Sequence, residues 1–222
     1  MDQSTWDLLV SSFWPIVSGA IAGTIPLALS SMAIGLVIAL GIALMRLSPI
    51  RVLQAIARVY VSIVRGTPLL VQLYVIFYGL PSIGVIIDPW PSAIIAFSIN
   101  VGGYASEVIR ASILSVPKGQ WEAGYTIGMS PAQSLRRIII PQAARVSVPP
   151  LSNTFISLVK DTSLASVILV TELFRKAQEI AAFNQAFMAV YVEAALIYWI
   201  ICLVLSSGQS KLEKRLDRYV AH

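Results

Sequence analysis

Residues 15–45 read PIVSGAIAGTIPLALSSMAIGLVIALGIALM, thirty-one positions without one charged side chain. A hydrocarbon core about 30 Å thick is crossed by about 20 apolar residues in α-helix. The run is therefore long enough to span a bilayer even if it tilts, or breaks near Gly23 and Pro26. Composition agrees with that reading. Of 222 residues, 57% are hydrophobic and 12% are charged, against roughly 25% charged in a soluble domain. One aqueous core of this size does not hide so much apolar surface, whereas a bilayer accepts it.

Four more apolar stretches follow: 66–87, which is uncharged; 89–106, softened by Asn100, Gly102 and Gly103; 146–170, interrupted by Lys160 and Asp161; and 186–208, with Glu193 in its first third. The predicted architecture is an all-α integral membrane protein of about five transmembrane helices, residues 1–222 forming one transmembrane domain. Residues 1–14 carry Asp2 and Asp7 but no Lys or Arg. A secretory signal opens on basic residues, so the first run is expected to be a retained span.

Charge sets the expected orientation. Arg46, Arg51, Arg58 and Arg65 lie between the first two runs; Arg110, Lys118, Arg136, Arg137 and Arg145 lie between the third and fourth; Lys211, Lys214, Arg215 and Arg218 follow the fifth. With five spans, thirteen of the sixteen basic residues fall on one side. The other side holds Asp2, Asp7, Asp88, Glu172 and Glu179, with only Arg175 and Lys176. The basic side is predicted to be cytoplasmic, which puts the N-terminus outside and the C-terminus in the cytoplasm. The net charge of +5 then reflects topology rather than a nucleic-acid-binding stripe. Cys202 is the sole cysteine and His222 the sole histidine, so neither an intramolecular disulfide nor a His/Cys metal cluster is expected.

Residues 117–141 are too long for a plain connection and carry helix signals. Pro117 can open a helix, and Gly128 can close it in the left-handed conformation. Ser130 reads as an N-cap with Pro131 at the first helical position, opening a second helix over 132–140 that Pro141 breaks. Trp121, Tyr125 and Met129 recur every fourth residue and would form an apolar stripe. The hairpin either lies on lipid headgroups or docks a soluble cytoplasmic partner.

Here the residues carry a resemblance. Glu122-Ala123-Gly124, Gly128 and Ile138-Ile139-Ile140-Pro141 resemble the EAA loop of permease subunits in type I ABC importers: Glu-Ala-Ala, three residues, Gly, nine residues, Ile-x-Leu-Pro. The spacing is complete; Gly124 replaces Ala and Ile140 replaces Leu. The stretches RGTPLL (65–70), KGQWEA (118–123) and KDTSL (160–164) look like the polar amino-acid branch. The likeness covers residues 20–222, and over IVRGTP (63–68) and PPLSNTFISLVKDTSL (149–164) it is nearest to bacterial L-cystine permeases.

The resemblance implies a transport subunit, not an enzyme, in a bacterial inner membrane, importing a polar amino acid such as L-cystine or another net-neutral one. It implies that 117–141 is a cytoplasmic coupling loop seated in an ATPase groove, with Glu122, Ala123, Gly124, Gly128, Ile138 and Pro141 carrying the contact. The expected partners are two ATPase subunits that hold ATP and Mg, a second permease copy or sister subunit, and an extracytoplasmic solute-binding protein. No cofactor is expected in this chain, and no Walker-type phosphate loop occurs in it.

Charges inside apolar helices are costly and usually face a cavity or a partner. Lys160 and Asp161 either make interhelical ion pairs or border the substrate path, where a Lys/Asp pair suits a zwitterion. Adjacent residues do not face each other on a helix, so each needs its own partner. Thr154 lies nearly two turns earlier on a similar face. It can bond its own helix backbone, and its neutrality argues against a cationic substrate, because the resemblance places a glutamate near here in carriers of basic amino acids. Asn100, beside Gly102, Gly103 and Tyr104, serves close packing or the same path. Glu107 and Arg110 read as a local ion pair, and Glu193 as an interfacial residue or a partner for a cation. The competing functions are an ion-coupled secondary transporter, for which no inverted repeat is visible, and the same ABC role with a basic amino acid.

Overall fold

The computed structural model describes residues 3–217; Met1, Asp2, Arg218 and His222 lie outside them. Among the described residues the chain is helical, with no strand.

Helix α1 (Gln3–Gly19) passes through a π-turn (Ala20–Thr24) into α2 (Ile25–Leu47). The break expected near Gly23 and Pro26 is this π-turn. A proline ring in a helix clashes with the carbonyl four residues earlier, and a widened turn makes room for it. Residues Thr5–Leu47 therefore run on for 43 residues, about 65 Å at 1.5 Å per residue, more than one crossing requires. Gly23 also sits where nothing larger fits, since a Cβ there would lie 2.5 Å from the Thr171 carbonyl oxygen and 2.6 Å from the Glu172 Cα. Gly23→Val is expected to cost about 1–3 kcal/mol or more by overpacking, read as a lower melting temperature of the detergent-purified protein.

Helix α3 (Arg51–Gly66) and α4 (Leu69–Tyr74) meet at a 105° bend, and α4 continues as a π-turn (Val75–Gly79) and a 3₁₀ turn (Leu80–Ile83). Thr67 and Pro68 form the corner in extended backbone, the conformation a proline imposes on the residue before it. The structure corrects the placement of Arg46, Arg51, Arg58 and Arg65 as charges between the first two spans, because 51–66 is a helix packed within the bundle. Helix α3 packs on α2 and on α5 (Pro89–Ser115). Tyr60 Oη donates to the Ile99 carbonyl at 2.7 Å, and a Cβ on Gly103 would lie 2.6 Å from Val64 Cγ1. Gly102 and Gly103 thus open a notch near the middle of α5 that α3 occupies, and Arg65 sits at that depth rather than at the end of a span.

After α6 (Lys118–Thr126) and α7 (Pro131–Ser134), a π-turn (Leu135–Ile139) leads into α8 (Ile140–Asp161). Pro141 does not break the helix as expected: the π-turn precedes it and relieves the ring's clash with the preceding turn. At Lys160 and Asp161 the α-helix ends and tightens into a 3₁₀ turn (Thr162–Ile168), followed by α9 (Leu173–Asn184), bent by 50°, and α10 (Phe187–Asp217). By length and composition, Thr5–Leu47, Pro89–Ser115 and Phe187–Arg215 can each cross a membrane; counting each bent pair as one span gives five.

The central core joins α2, α5, α8 and the 3₁₀ turn through Leu27, Ala28, Phe97, Val101, Leu158 and Ile168. A second cluster, Ile16, Ala20, Leu173, Ala177, Val190 and Ala194, ties α1 to α9 and α10. Val10, Val37, Trp199 and Val204 stay exposed on the outer faces, as a lipid-facing surface requires. Polar ties are few. Wholly buried Glu172 caps α9, accepting from the Phe174 and Arg175 amides at 2.9 and 2.6 Å and from Tyr198 Oη at 2.9 Å. Glu193 accepts from Ser12 Oγ, so its partner is a hydroxyl rather than a cation. The predicted Glu107–Arg110 pair forms at 3.0 Å, and Arg46 of α2 joins it at 2.6 Å.

Candidate functional site

A cavity of about 440 Å³ opens between the α3–α4 corner, α5 and α8. Its polar wall comes from Thr67 at the corner, Asn100 and Tyr104 on α5, and Asn153, Thr154, Ser157 and Asp161 on α8. The α8 residues fall within about two turns on one face and form a polar stripe there. Asn100, Thr154 and Asp161, read from sequence as path residues, come together here. Lys160 does not join them. It is exposed and turns into a separate groove beside Ser163, Phe174, Tyr191, Tyr198, Trp199 and Cys202. The reason is helical geometry, since neighbours on a helix point about 100° apart.

The wall is braced from behind. Asn100 Nδ2 donates to Gln72 Oε1 at 3.1 Å, and Gln72 Nε2 donates to the Val64 carbonyl at 2.8 Å and to Thr67 Oγ1 at 2.9 Å. This amide chain pins α4 to α5 across the bend. Thr154 Oγ1 donates to the Pro150 carbonyl at 3.0 Å, so the hydroxyl bonds its own helix while lining the cavity. Asn153 Oδ1 accepts from Gln209 Nε2 on α10 at 3.1 Å. Asp161 is half-buried and has no ion-pair partner within 4 Å among the described residues. Among the described residues it is the one charged group in the cavity wall. The site can thus hold a ligand cation on Asp161 and polar groups on amides and hydroxyls. Sequence reasoning met Thr67 only within the RGTPLL stretch, named Tyr104 only as a neighbour of Asn100, and did not single out Asn153 or Ser157. The Asn153-Thr154-Ser157-Asp161 spacing was the signal available.

The 117–141 hairpin has the local geometry its residues encode. Gly128 has φ +79°, and the Met129 and Gly128 amides donate to the Gly124 and Tyr125 carbonyls, each at 3.0 Å. That is the paired closure of a Schellman turn. Ser130 and Gln133 then form a capping box that starts α7. Gly124, where the resemblance has Ala, is buried, and a Cβ there would lie 2.5 Å from Ser134 Oγ, so the glycine lets α6 and α7 close together. Glu122 and Ala123 are exposed, Pro141 is exposed, and Ile138 packs half-buried against the cluster of Ile113, Val116, Ile139 and Ala143. The expected stripe is shorter than predicted. Trp121 joins that cluster, Tyr125 is exposed, and Met129 falls beyond the helix because the Gly128 turn has already closed it.

A bundle of this kind, apolar outside and polar along one inner cavity, with a capped hairpin at one end, is the build of a membrane permease. The family described as binding-protein-dependent transport system inner membrane component matches residues 31–218, and the chain belongs to it: a multi-pass permease component of the inner membrane. It is 65% identical over 217 residues to the L-cystine transport system permease protein TcyB of Bacillus subtilis (strain 168), covering 97% of this chain and 93% of that one. It is 38% identical to the glutamine transport system permease protein GlnP of Escherichia coli (strain K12), covering 93% and 96%. A solved structure, an amino acid ABC transporter with histidines, superposes with a TM-score of 0.89 at 36% identity, covering 97% of this chain and 99% of that one. These relationships favour ATP-driven transport over the ion-coupled alternative.

Proposed function

We propose that this ABC permease imports L-cystine, or another net-neutral polar amino acid, through the cavity bordered by Asp161, Thr154 and Asn100. The observation that carries the reading is a polar cavity inside an otherwise apolar chain, with one carboxylate and several amides and hydroxyls to receive an amino-acid backbone. The 65% identity to a permease named for L-cystine supports that substrate. Lys160, turned away from the cavity, is left out of the path.

Membership of the family supports the remaining parts of this reading. Two ATPase subunits hold ATP and Mg and close on each other. The hairpin, through Glu122, Ala123, Gly124, Gly128, Ile138 and Pro141, passes that movement to the spans. A solute-binding protein delivers the amino acid from outside, and a second permease copy or sister subunit completes the channel, whose cavity alternates between the two faces. Leaving aside Arg65, which the fold carries to mid-span, the distribution of the other basic residues supports an outside N-terminus and a cytoplasmic C-terminus. Reporter tags after Met1 and near Asp88 are expected to read outside, and those near Lys118 and His222 inside; a cytoplasmic N-terminal tag would overturn that orientation.

One alternative has its own observation. A lone carboxylate in the cavity wall also suits a cationic side chain, so a basic amino acid remains the second reading. ATP- and binding-protein-dependent uptake of a labelled amino-acid panel by the reconstituted complex separates them. L-cystine uptake unaffected by excess lysine or arginine supports the first, and preferential arginine or lysine uptake supports the second.

A further inference from the structure

The cavity supplies one half of what a zwitterion needs. Asp161 suits an ammonium, yet among the described residues no cation lines the wall, and Lys160 faces another groove. Arg65 offers the other half. Its guanidinium lies 5.4 Å from the centre of the Tyr104 ring, and Tyr104 lines the cavity. Thr67 and Pro68, two and three residues further along, form part of the same wall. Arg65 is exposed, and among the described residues no carboxylate lies within 4 Å of it. Glu107 pairs directly with Arg46 and Arg110, and Arg65 lies within Coulombic reach of the same carboxylate without an ion-pair contact to it.

Depth makes this arrangement informative. Tyr104 is near the middle of the 27-residue α5, and Val64 beside Arg65 packs on Gly103. A guanidinium at the middle of a span is costly, and one cation–π contact with a more distant carboxylate offsets only part of that cost. Such a group faces water or a ligand, and its planar paired donors match a carboxylate better than any other side chain does.

We infer that Arg65, positioned by the Tyr104 ring, recognises the α-carboxylate of the transported amino acid while Asp161 takes its ammonium. The two charges then select a zwitterion over a simple amine. The inference rests on the proposed reading that this cavity holds the substrate.

The test uses the full-length permease in its complex with the ATPase subunits, purified without the binding protein. Binding of L-cystine is compared with binding of cystamine, which is cystine lacking both carboxylates. Arg65→Gln is expected to weaken L-cystine binding roughly ten- to hundredfold, the loss of one charge-assisted contact, and to leave cystamine binding unchanged. Arg65→Lys, which keeps the charge but not the fork, is expected to lie between. A purely structural role would move both ligands together or lower the yield of monodisperse complex. Equal weakening of both ligands, or unchanged L-cystine binding in Arg65→Gln, overturns the inference. A wild-type complex that binds no L-cystine removes the substrate-cavity reading itself, and the inference with it, before any substitution is compared.

Discussion

Asp161→Asn is expected to reduce binding-protein-dependent uptake roughly ten- to hundredfold per assembled complex, the range that follows from losing one hydrogen bond to a charged group. The change is nearly isosteric, so the helix end at Asp161 and the following 3₁₀ turn keep their shape. What disappears is the one charge in the cavity wall, and with it the attraction for an ammonium. Since Asp161 has no ion-pair partner among the described residues, its removal leaves no buried counter-charge stranded. Assembly is therefore expected to be normal, which separates this outcome from the collapse seen when one half of a buried pair is deleted. The neighbouring Lys160→Met provides the contrast, because that side chain faces the aromatic groove. Uptake per complex is expected to stay near wild type there. If Asp161→Asn transports normally, the cavity is not the path.

How much of this was legible in the sequence depended on the range of the interactions. The turn of the hairpin was legible, though its end at Pro141 was not, because Gly128, Ser130 and Pro131 act on their immediate neighbours, through a positive φ, a capping hydroxyl and a preset φ. The apolar runs were legible because a bilayer imposes its thickness on each helix separately. The α3–α4 bend was not. Its local cause, Thr67 before Pro68, is visible in sequence, but the notch at Gly102 and Gly103 that draws α3 to mid-span lies about 35 residues on, and so Arg65 was read with the charges between the first two runs. Glu172 shows the same limit. It was read as a charge on the acidic outer side, yet it is wholly buried, held by Tyr198 of α10 and facing Thr24 of the first π-turn. Nothing near it in sequence announces partners that distant. The Lys160/Asp161 pair fell between these cases. Adjacency on a helix implied separate surroundings, and which of the two faced the cavity was set only by how α8 is turned against α5.

Glu122→Lys in the same complex is expected to lower ATP-driven uptake more than tenfold and to reduce co-purification of the ATPase subunits. Insertion and folding of the permease should be intact. Glu122 is exposed on α6 while Gly124, two positions on, is buried against Ser134, so the carboxylate points away from the hairpin's own packing. Reversing its charge leaves the fold alone and replaces a charge-assisted contact with a repulsive one at whatever basic surface receives it, a change of about 2 kcal/mol or more. Gly128 tests the same interface by geometry. At φ +79° a β-branched side chain is strained by about 1–3 kcal/mol, and relief comes only by opening the turn that aims α7. Gly128→Val is therefore expected to impair coupling with the charge pattern untouched. Gly128→Asn, which tolerates the left-handed conformation, is expected to restore most of it. The relevant readings are uptake, ATPase activity stimulated by loaded binding protein, and the ratio of ATPase to permease in the purified complex. Wild-type values of all three in both Glu122→Lys and Gly128→Val would falsify the assignment of this hairpin to coupling. Loss in Gly128→Val without rescue by Gly128→Asn would instead mean that the turn's shape is not what matters there.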